Sequence, residues 1–268
     1  MSIRKIGIVG YGAIGPTLHG LLRQHARDVT VIAILEREAS AEAARQRATD
    51  TPVEHRLEDF LAHEPDIVVE CAGHAALRAH GVAVLEGGCD LIVSSVGALA
   101  DRAIETTLRD AARRTRNRLV IPSGALGGLD ALAAARPSGI EEVAYTSRKK
   151  PLAWKGTPAE TMIDLAHVTE PTPFFTGNAR EAALTFPQNA NVVAAIALAG
   201  IGFEETRVTL MADPGTPGNR HDFRARGAFG EISSSVVTRT LPENPKTSML
   251  APYSVMRSIL NLAGPVIV

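Results

Sequence analysis

The chain has 268 residues, 45% of them hydrophobic and 21% charged, and its 28 basic side chains are balanced by 29 acidic ones for a formal net charge of -1. That length allows one large globular domain or two small ones, and the charge balance offers no footprint for nucleic acid or an anionic membrane surface. Aromatic side chains make up only 4%, too few for platforms on which single-stranded bases would stack.

In chain order, residues 5–9 form a short apolar run ending in glycines and read as a strand, and residues 16–25 space Leu18, Leu21 and Leu22 as a helix does. The start of the chain runs straight into that strand without the long apolar stretch of a signal peptide. Residues 29–35, rich in β-branched side chains, predict a second strand. Helices are expected over 40–48 and 57–62, a strand over 66–70, a helix over 75–86, a strand over 90–94, a helix over 104–114 and a strand over 118–121. Strand and helix alternating at this pitch is the pattern of an α/β, doubly wound parallel sheet with helices on both faces. Cys71 and Cys89 lie in apolar stretches of this half and are expected to be reduced, buried thiols in a cytoplasmic protein.

The pattern changes after Ile121. Pro122-Ser123-Gly124 punctuates the chain, and Gly127-Gly128-Leu129-Asp130 leads into an Ala-rich helix over 131–135. Strand candidates follow at 140–147, 182–185, 206–212, 221–228 and 231–238, separated by Pro, Gly and Asn clusters. Residues 192–202 are the main helical exception. They are also too short for the roughly 18 apolar residues of a membrane span. The expected organisation is a dinucleotide-binding domain over 1–123 and a second, α+β domain over 124–244 built on a largely antiparallel sheet. A terminal helix within 245–268 would pack back on the first domain.

Gly10-Tyr11-Gly12-Ala13-Ile14-Gly15 matches G-x-G-x-x-G between a strand and a helix, which is the context that gives the motif meaning. Gly10 would allow the tight turn, Gly12 the approach of a pyrophosphate, and Gly15 close packing of helix on strand. Ala13 and Ile14 stand where the helix N-terminus would meet the anion. Glu36 ends the second strand 21 residues beyond Gly15, near the ~20-residue spacing of a ribose-binding acid. The alternative is a solvated strand-end carboxylate. Arg37 beside it is of the kind that accommodates a 2′-phosphate, so NAD is favoured and NADP remains open.

Hydride chemistry needs an acid/base group and anchors for the substrate. His221 enters a strand from the turn-rich loop 213–220, and an imidazole near its ordinary pKa of about 6.5 suits proton transfer. The competing reading is a strand-entry histidine bonding the loop backbone. His74 follows a strand end facing the cofactor crevice. Asn189 and Asn191 precede a helix; an N-cap explains one of them and leaves the other for a ligand. Arg148, Lys149 and Lys150 form a basic run suited to clamping carboxylates, or simply a solvated strand end. Segment 122–128 holds no cysteine, which argues against a thiol-based mechanism. Cys71 and His74 are a single pair without a second at ligand spacing, so no metal is expected.

Taken together, Gly10-Tyr11-Gly12-Ala13-Ile14-Gly15, Ser94-Ser95-Val96-Gly97-Ala98-Leu99, the run 122–130, Phe186-Pro187-Gln188-Asn189-Ala190-Asn191-Val192 and Gly218-Asn219-Arg220-His221 resemble the L-aspartate dehydrogenase family, in order and over nearly the whole chain. Cys71-Ala72-Gly73-His74 departs from the smaller residues expected after that strand. The resemblance implies a Rossmann domain with a substrate domain of the glyceraldehyde-3-phosphate dehydrogenase type, usually as a homodimer. It implies NAD(P)-dependent oxidation of L-aspartate to iminoaspartate, which hydrolyses to oxaloacetate and ammonia or feeds NAD biosynthesis through quinolinate, and the reverse reductive amination. By position, His221 matches the family's active-site histidine, and Ala125 and Asn191 its cofactor contacts. Competing expectations are another Rossmann oxidoreductase, such as homoserine dehydrogenase or dihydrodipicolinate reductase, and a non-catalytic nucleotide sensor.

Overall fold

The computed structural model describes residues 3–242 and 244–267. In chain order the elements are β1 (Arg4–Val9), α1 (Ile14–His25), β2 (Val29–Leu35), α2 (Glu38–Arg47), β3 (Val53–Glu54), α3 (Leu57–Leu61), β4 (Ile67–Glu70), α4 (His74–Glu86), β5 (Asp90–Val93), α5 (Arg102–Thr115) and β6 (Leu119–Val120). There follow α6 (Leu129–Ala135), β7 (Ile140–Lys149), α7 (Ala159–Met162), β8 (Thr172–Asn178), α8 (Ala179–Thr185), α9 (Ala190–Ala199) and β9 (Arg207–Ala212). The last elements are β10 (Asn219–Gly227), β11 (Gly230–Thr238), β12 (Thr240–Leu241), β13 (Asn244–Ser248) and α10 (Leu250–Ala263).

The chain divides into two compact units, one made of residues up to Ala98, Arg102–Pro122 and residues from Ala251 on, the other of Leu99–Asp101 and Ser123–Leu250. The first unit holds a six-stranded sheet of order β3-β2-β1-β4-β5-β6, every neighbouring pair parallel. Parallel strands buried on both faces need apolar side chains throughout, and all four residues of β4 are buried. Strand order reverses between β1 and β4, which is where open α/β sheets bind their ligands. Val255 and Ile259 of α10 belong to the same buried cluster as Ile6, Ile8, Leu18 and Ile92.

The second unit holds a five-stranded sheet of order β11-β10-β7-β9-β8; only the β7–β9 pair is parallel. Period-2 alternation decides its faces. Val143, Tyr145, Ser147 and Lys149 of β7, Phe223 and Ala225 of β10, and Val208, Leu210 and Ala212 of β9 are buried. Helix α9 is apolar except for Asn191, and Val193 to Ala197 are buried with them.

Residues 182–185, expected as a strand, are the end of helix α8. Asn178 and Glu181 form a reciprocal capping box, with Glu181 N–H donating to Asn178 Oδ1 (2.9 Å) and Asn178 N–H to Glu181 Oε2 (3.0 Å). Such a cap starts a helix, and the alanines that follow favour it. A Cβ on Gly177 would stand 2.5 Å from Glu181 Oε2, so a larger residue there would displace the capping carboxylate. Strand β8 goes unread in the sequence because Pro173 and Gly177 interrupt it. It lies at the sheet edge, where proline is tolerated.

Candidate active site

In the first unit, the loop after β1 is shaped by its three glycines. Gly10 has φ +90, and a Cβ there would lie 2.5 Å from Ala72 Cβ, so both backbone and neighbour demand glycine. A Cβ on Gly15 would lie 2.4 Å from the Gly10 carbonyl oxygen, whereas nothing stands within 4 Å of one on Gly12. The backbone at Gly12 is therefore open to a ligand. Ala13 occupies the N-cap of α1 and makes no side-chain cap bond. The N–H groups of Ile14 and Gly15, at the start of the helix, are therefore not capped by the N-cap side chain. An open glycine at an uncapped helix N-terminus fits a pyrophosphate.

Glu36 is held against this loop: Tyr11 N–H donates to its Oε2 and Arg37 N–H to its Oε1, both at 2.8 Å. Its side chain is 12% exposed, and each oxygen retains accepting capacity for a further donor. The Arg37 side chain, in contrast, is 87% exposed. Arg47 reaches across from α2 to donate to the Tyr11 carbonyl at 2.5 Å. The Tyr11 hydroxyl meets His19 Nδ1 at 2.8 Å; burial lowers the His19 pKa. His74 is the first residue of α4, after Gly73 at φ +114.

In the second unit, the antiparallel register sets His221 of β10 opposite Ser147 of β7. The Tyr145 hydroxyl lies 2.7 Å from His221 Nδ1, and the two ring planes are within 10° of parallel. Tyr145 is also hydrogen-bonded to the Ser147 side chain. Burial, and then the positive charge of Lys149, push the His221 pKa down to about 3 against the opposing pull of Asp222. An imidazole expected near 6.5 is thus neutral over the physiological range, because the sheet face that carries it is closed to water.

Lys149 is not a solvated strand end. It is buried, donates from Nζ to Asn189 Oδ1, and lies 5.0 Å over the Trp154 ring. Burial lowers its pKa to about 8. Asn189 stands at the N-cap of α9 but makes no side-chain cap bond, its oxygen being taken by Lys149. Asn191 is exposed in the first turn of the helix, and Ala125 is buried just after Gly124. The structure sets Arg148 apart: alternation turns it to the opposite face, where its Nε lies 3.5 Å from Asp222 Oδ2. Lys150 is exposed. Tyr145 and Trp154 are additions that the sequence reading missed. Extending period 2 along β7 to Lys149 would have grouped Tyr145 with it. Among the described residues, no three His, Cys, Asp or Glu side chains are placed to hold a metal. Nor is any single helix long and apolar enough to cross a membrane.

Sheet order, glycine loop and uncapped helix together define a Rossmann unit of the kind used by nicotinamide-dependent oxidoreductases. Residues 10–122 match the family model described as homoserine dehydrogenase, NAD binding domain, and residues 130–262 that described as aspartate dehydrogenase, C-terminal. The chain is 46% identical to the L-aspartate dehydrogenase of Polaromonas sp., covering 96% of this chain and 97% of that one. It is 45% identical to that of Ralstonia pickettii, covering 97% and 98%. Among solved structures, aspartate dehydrogenase from Thermotoga maritima superposes with a TM-score of 0.75 at 26% identity, covering 99% of each chain. A homoserine dehydrogenase from Thiobacillus denitrificans, with a TM-score of 0.63 at 15% identity over 97% of this chain and 73% of that one, shares the fold. The chain belongs to the L-aspartate dehydrogenase family. With that membership it is an NAD(P)-dependent amino-acid dehydrogenase.

Proposed function

We propose that the protein oxidises L-aspartate to iminoaspartate, which hydrolyses to oxaloacetate and ammonia, and that it also runs the reverse reductive amination. The observation that carries this reading is the cluster of Tyr145, His221 and Lys149 on one buried sheet face. Release of iminoaspartate would supply NAD biosynthesis through quinolinate. The enzyme acts as a cytoplasmic homodimer and needs neither metal nor nucleic acid. The match of residues 130–262 to the aspartate dehydrogenase C-terminal model favours aspartate over homoserine, since the homoserine dehydrogenase description belongs to the nucleotide-binding model alone.

A nicotinamide dinucleotide held at the loop of Gly10, Gly12 and Gly15 would supply the acceptor for the hydride leaving Cα. His221 removes the proton from the substrate ammonium, so that the amine lone pair can drive formation of the C=N bond. This step needs the tautomer in which Nδ1–H donates to the Tyr145 oxygen, which leaves the lone pair on Nε2. The depressed pKa of His221 keeps the imidazole neutral in the substrate-free protein, and the substrate carboxylates, once bound, raise its basicity. Lys149, charged below about pH 8, holds a substrate carboxylate, with Asn189 orienting its ammonium group. Lys150 is left for the second carboxylate, since Arg148 lies on the opposite sheet face against Asp222. Gly10, Gly12, Gly15, Ala13 and Ile14 hold the pyrophosphate, and Glu36 the adenosine ribose. Ala125 and Asn191 contact the nicotinamide half, and His74 borders the same nucleotide. Arg37, exposed beside Glu36, admits NADP beside NAD.

The direct test follows reduced nicotinamide by absorbance while aspartate, homoserine and other amino acids are offered with NAD and with NADP. Aspartate alone should give turnover; turnover with homoserine and none with aspartate would refute the reading. A narrower test is Gly12→Ala. No protein atom opposes the added methyl, so thermal stability should hold to within a degree or two. The NADH Kd, measured by fluorescence titration, should rise at least tenfold because the methyl occupies the pyrophosphate's approach. An unchanged Kd would remove Gly12 from the site.

A further inference from the structure

We propose that Glu70 is a positioning residue for the nucleotide: its carboxylate ties the turns after β4 and β5 together and so sets one wall of the glycine loop. The proposal rests on the dinucleotide reading of the first unit. Glu70 ends β4, immediately beside the point where strand order reverses, and is 2% exposed. Its Oε1 accepts the N–H of Ala72 (2.8 Å), the N–H of Gly73 (2.7 Å) and the Ser95 hydroxyl (3.0 Å), while Oε2 accepts the N–H of Ser95 (3.0 Å). One side chain thus fixes the turn that follows it and a second at Ser95, 25 residues beyond Glu70 in sequence.

Every other residue of β4 is apolar, and an apolar side chain would fill the strand end without the desolvation that a buried carboxylate suffers. Burial does raise the Glu70 pKa, and the four donors oppose it. What the carboxylate adds is geometry. Ala72, whose N–H it holds, is the residue against which Gly10 packs, at 2.5 Å from where a Gly10 Cβ would be. The Cys71 N–H donates to the Val9 carbonyl at 2.8 Å, so the turn after β4 is tied to the end of β1 as well. A shift of the Ala72 turn therefore moves the wall beside Gly10, directly before the open backbone of Gly12.

Glu70→Gln keeps the shape but turns an amide NH2 toward one set of these donors, breaking the clamp at either Ser95 or the Ala72–Gly73 turn. The readouts are the NADH Kd of the substrate-free protein, by calorimetry and fluorescence, and kinetics with both substrates varied. The NADH Kd and the KM for NAD should rise tenfold or more, while kcat at saturating NAD and the KM for aspartate stay within twofold. A lowered melting temperature with an NADH Kd within twofold of the wild type would overturn the proposal, leaving Glu70 a structural residue only. Should Glu70→Gln fail to fold, Ser95→Ala decides: it removes a single donor, and the Kd should rise about threefold, an unchanged value again overturning the proposal. A wild-type protein that binds no NADH would overturn the dinucleotide reading and this proposal with it.

Discussion

His221→Ala is expected to lower kcat for aspartate-dependent NADH formation by about 10²–10⁴-fold, the usual contribution of a general acid or base. The NADH Kd should stay where it is, since the proposed nucleotide contacts, from the glycine loop and Glu36 to Ala125 and Asn191, do not include His221. The substitution also empties a buried site, and His221→Gln, which nearly preserves the volume, separates lost chemistry from lost packing. Both variants should be comparably slow. Tyr145→Phe should be milder, because it frees Nδ1 without removing the imidazole. Its loss should appear in kcat rather than in the KM for aspartate. A His221→Ala enzyme that turned over at the wild-type rate would eliminate the acid/base role.

Acid should destabilise the protein through the same imidazole. In the unfolded chain His221 takes its proton near pH 6.5, whereas in the folded chain burial and Lys149 delay protonation to about pH 3. Between those values the unfolded state binds more protons, so stability rises with pH and is lost as pH falls through that window. Across the full interval the loss is about 5 kcal/mol, at about 1.4 kcal/mol per pH unit. Lys149 acts with the same sign at higher pH: its folded pKa of about 8 lies below the ordinary 10.5, so stability also rises between those values. Urea titrations at pH 6.5, 5.5 and 4.5 on wild type and His221→Gln would measure the first effect. The wild type should lose stability faster than the variant by roughly the stated slope. Parallel curves would mean that His221 is not held neutral.

What could be read in advance was what is local. The β1–Gly10–α1 segment, the apolar runs of β4 and β5, and Glu36 at the end of β2 declare themselves within windows of a few residues. Helix α9 is also legible, because it is apolar except for Asn191. Lys149 was not: a strand ended at Ser147 leaves it in a basic tail, and only two more residues of alternation turn it into the core. The Tyr145–His221 contact joins positions 76 residues apart, and no local period encodes the register of β7 on β10. Likewise Glu70 looks in sequence like an ordinary strand-end acid. Its burial comes from the convergence of turns that follow two different strands.

Helix α10 carries Val255 and Ile259 into the core around Ile6 and Ile8, although some 128 residues of the second unit lie between Pro122 and Ala251. The order of synthesis therefore runs against the order of assembly. A nascent chain that has just emerged as far as Pro122 holds every strand of its parallel sheet and all three glycines, yet exposes the apolar seat that α10 will fill. The core of the nucleotide-binding half is thus begun before the second unit is synthesised and closed only after it.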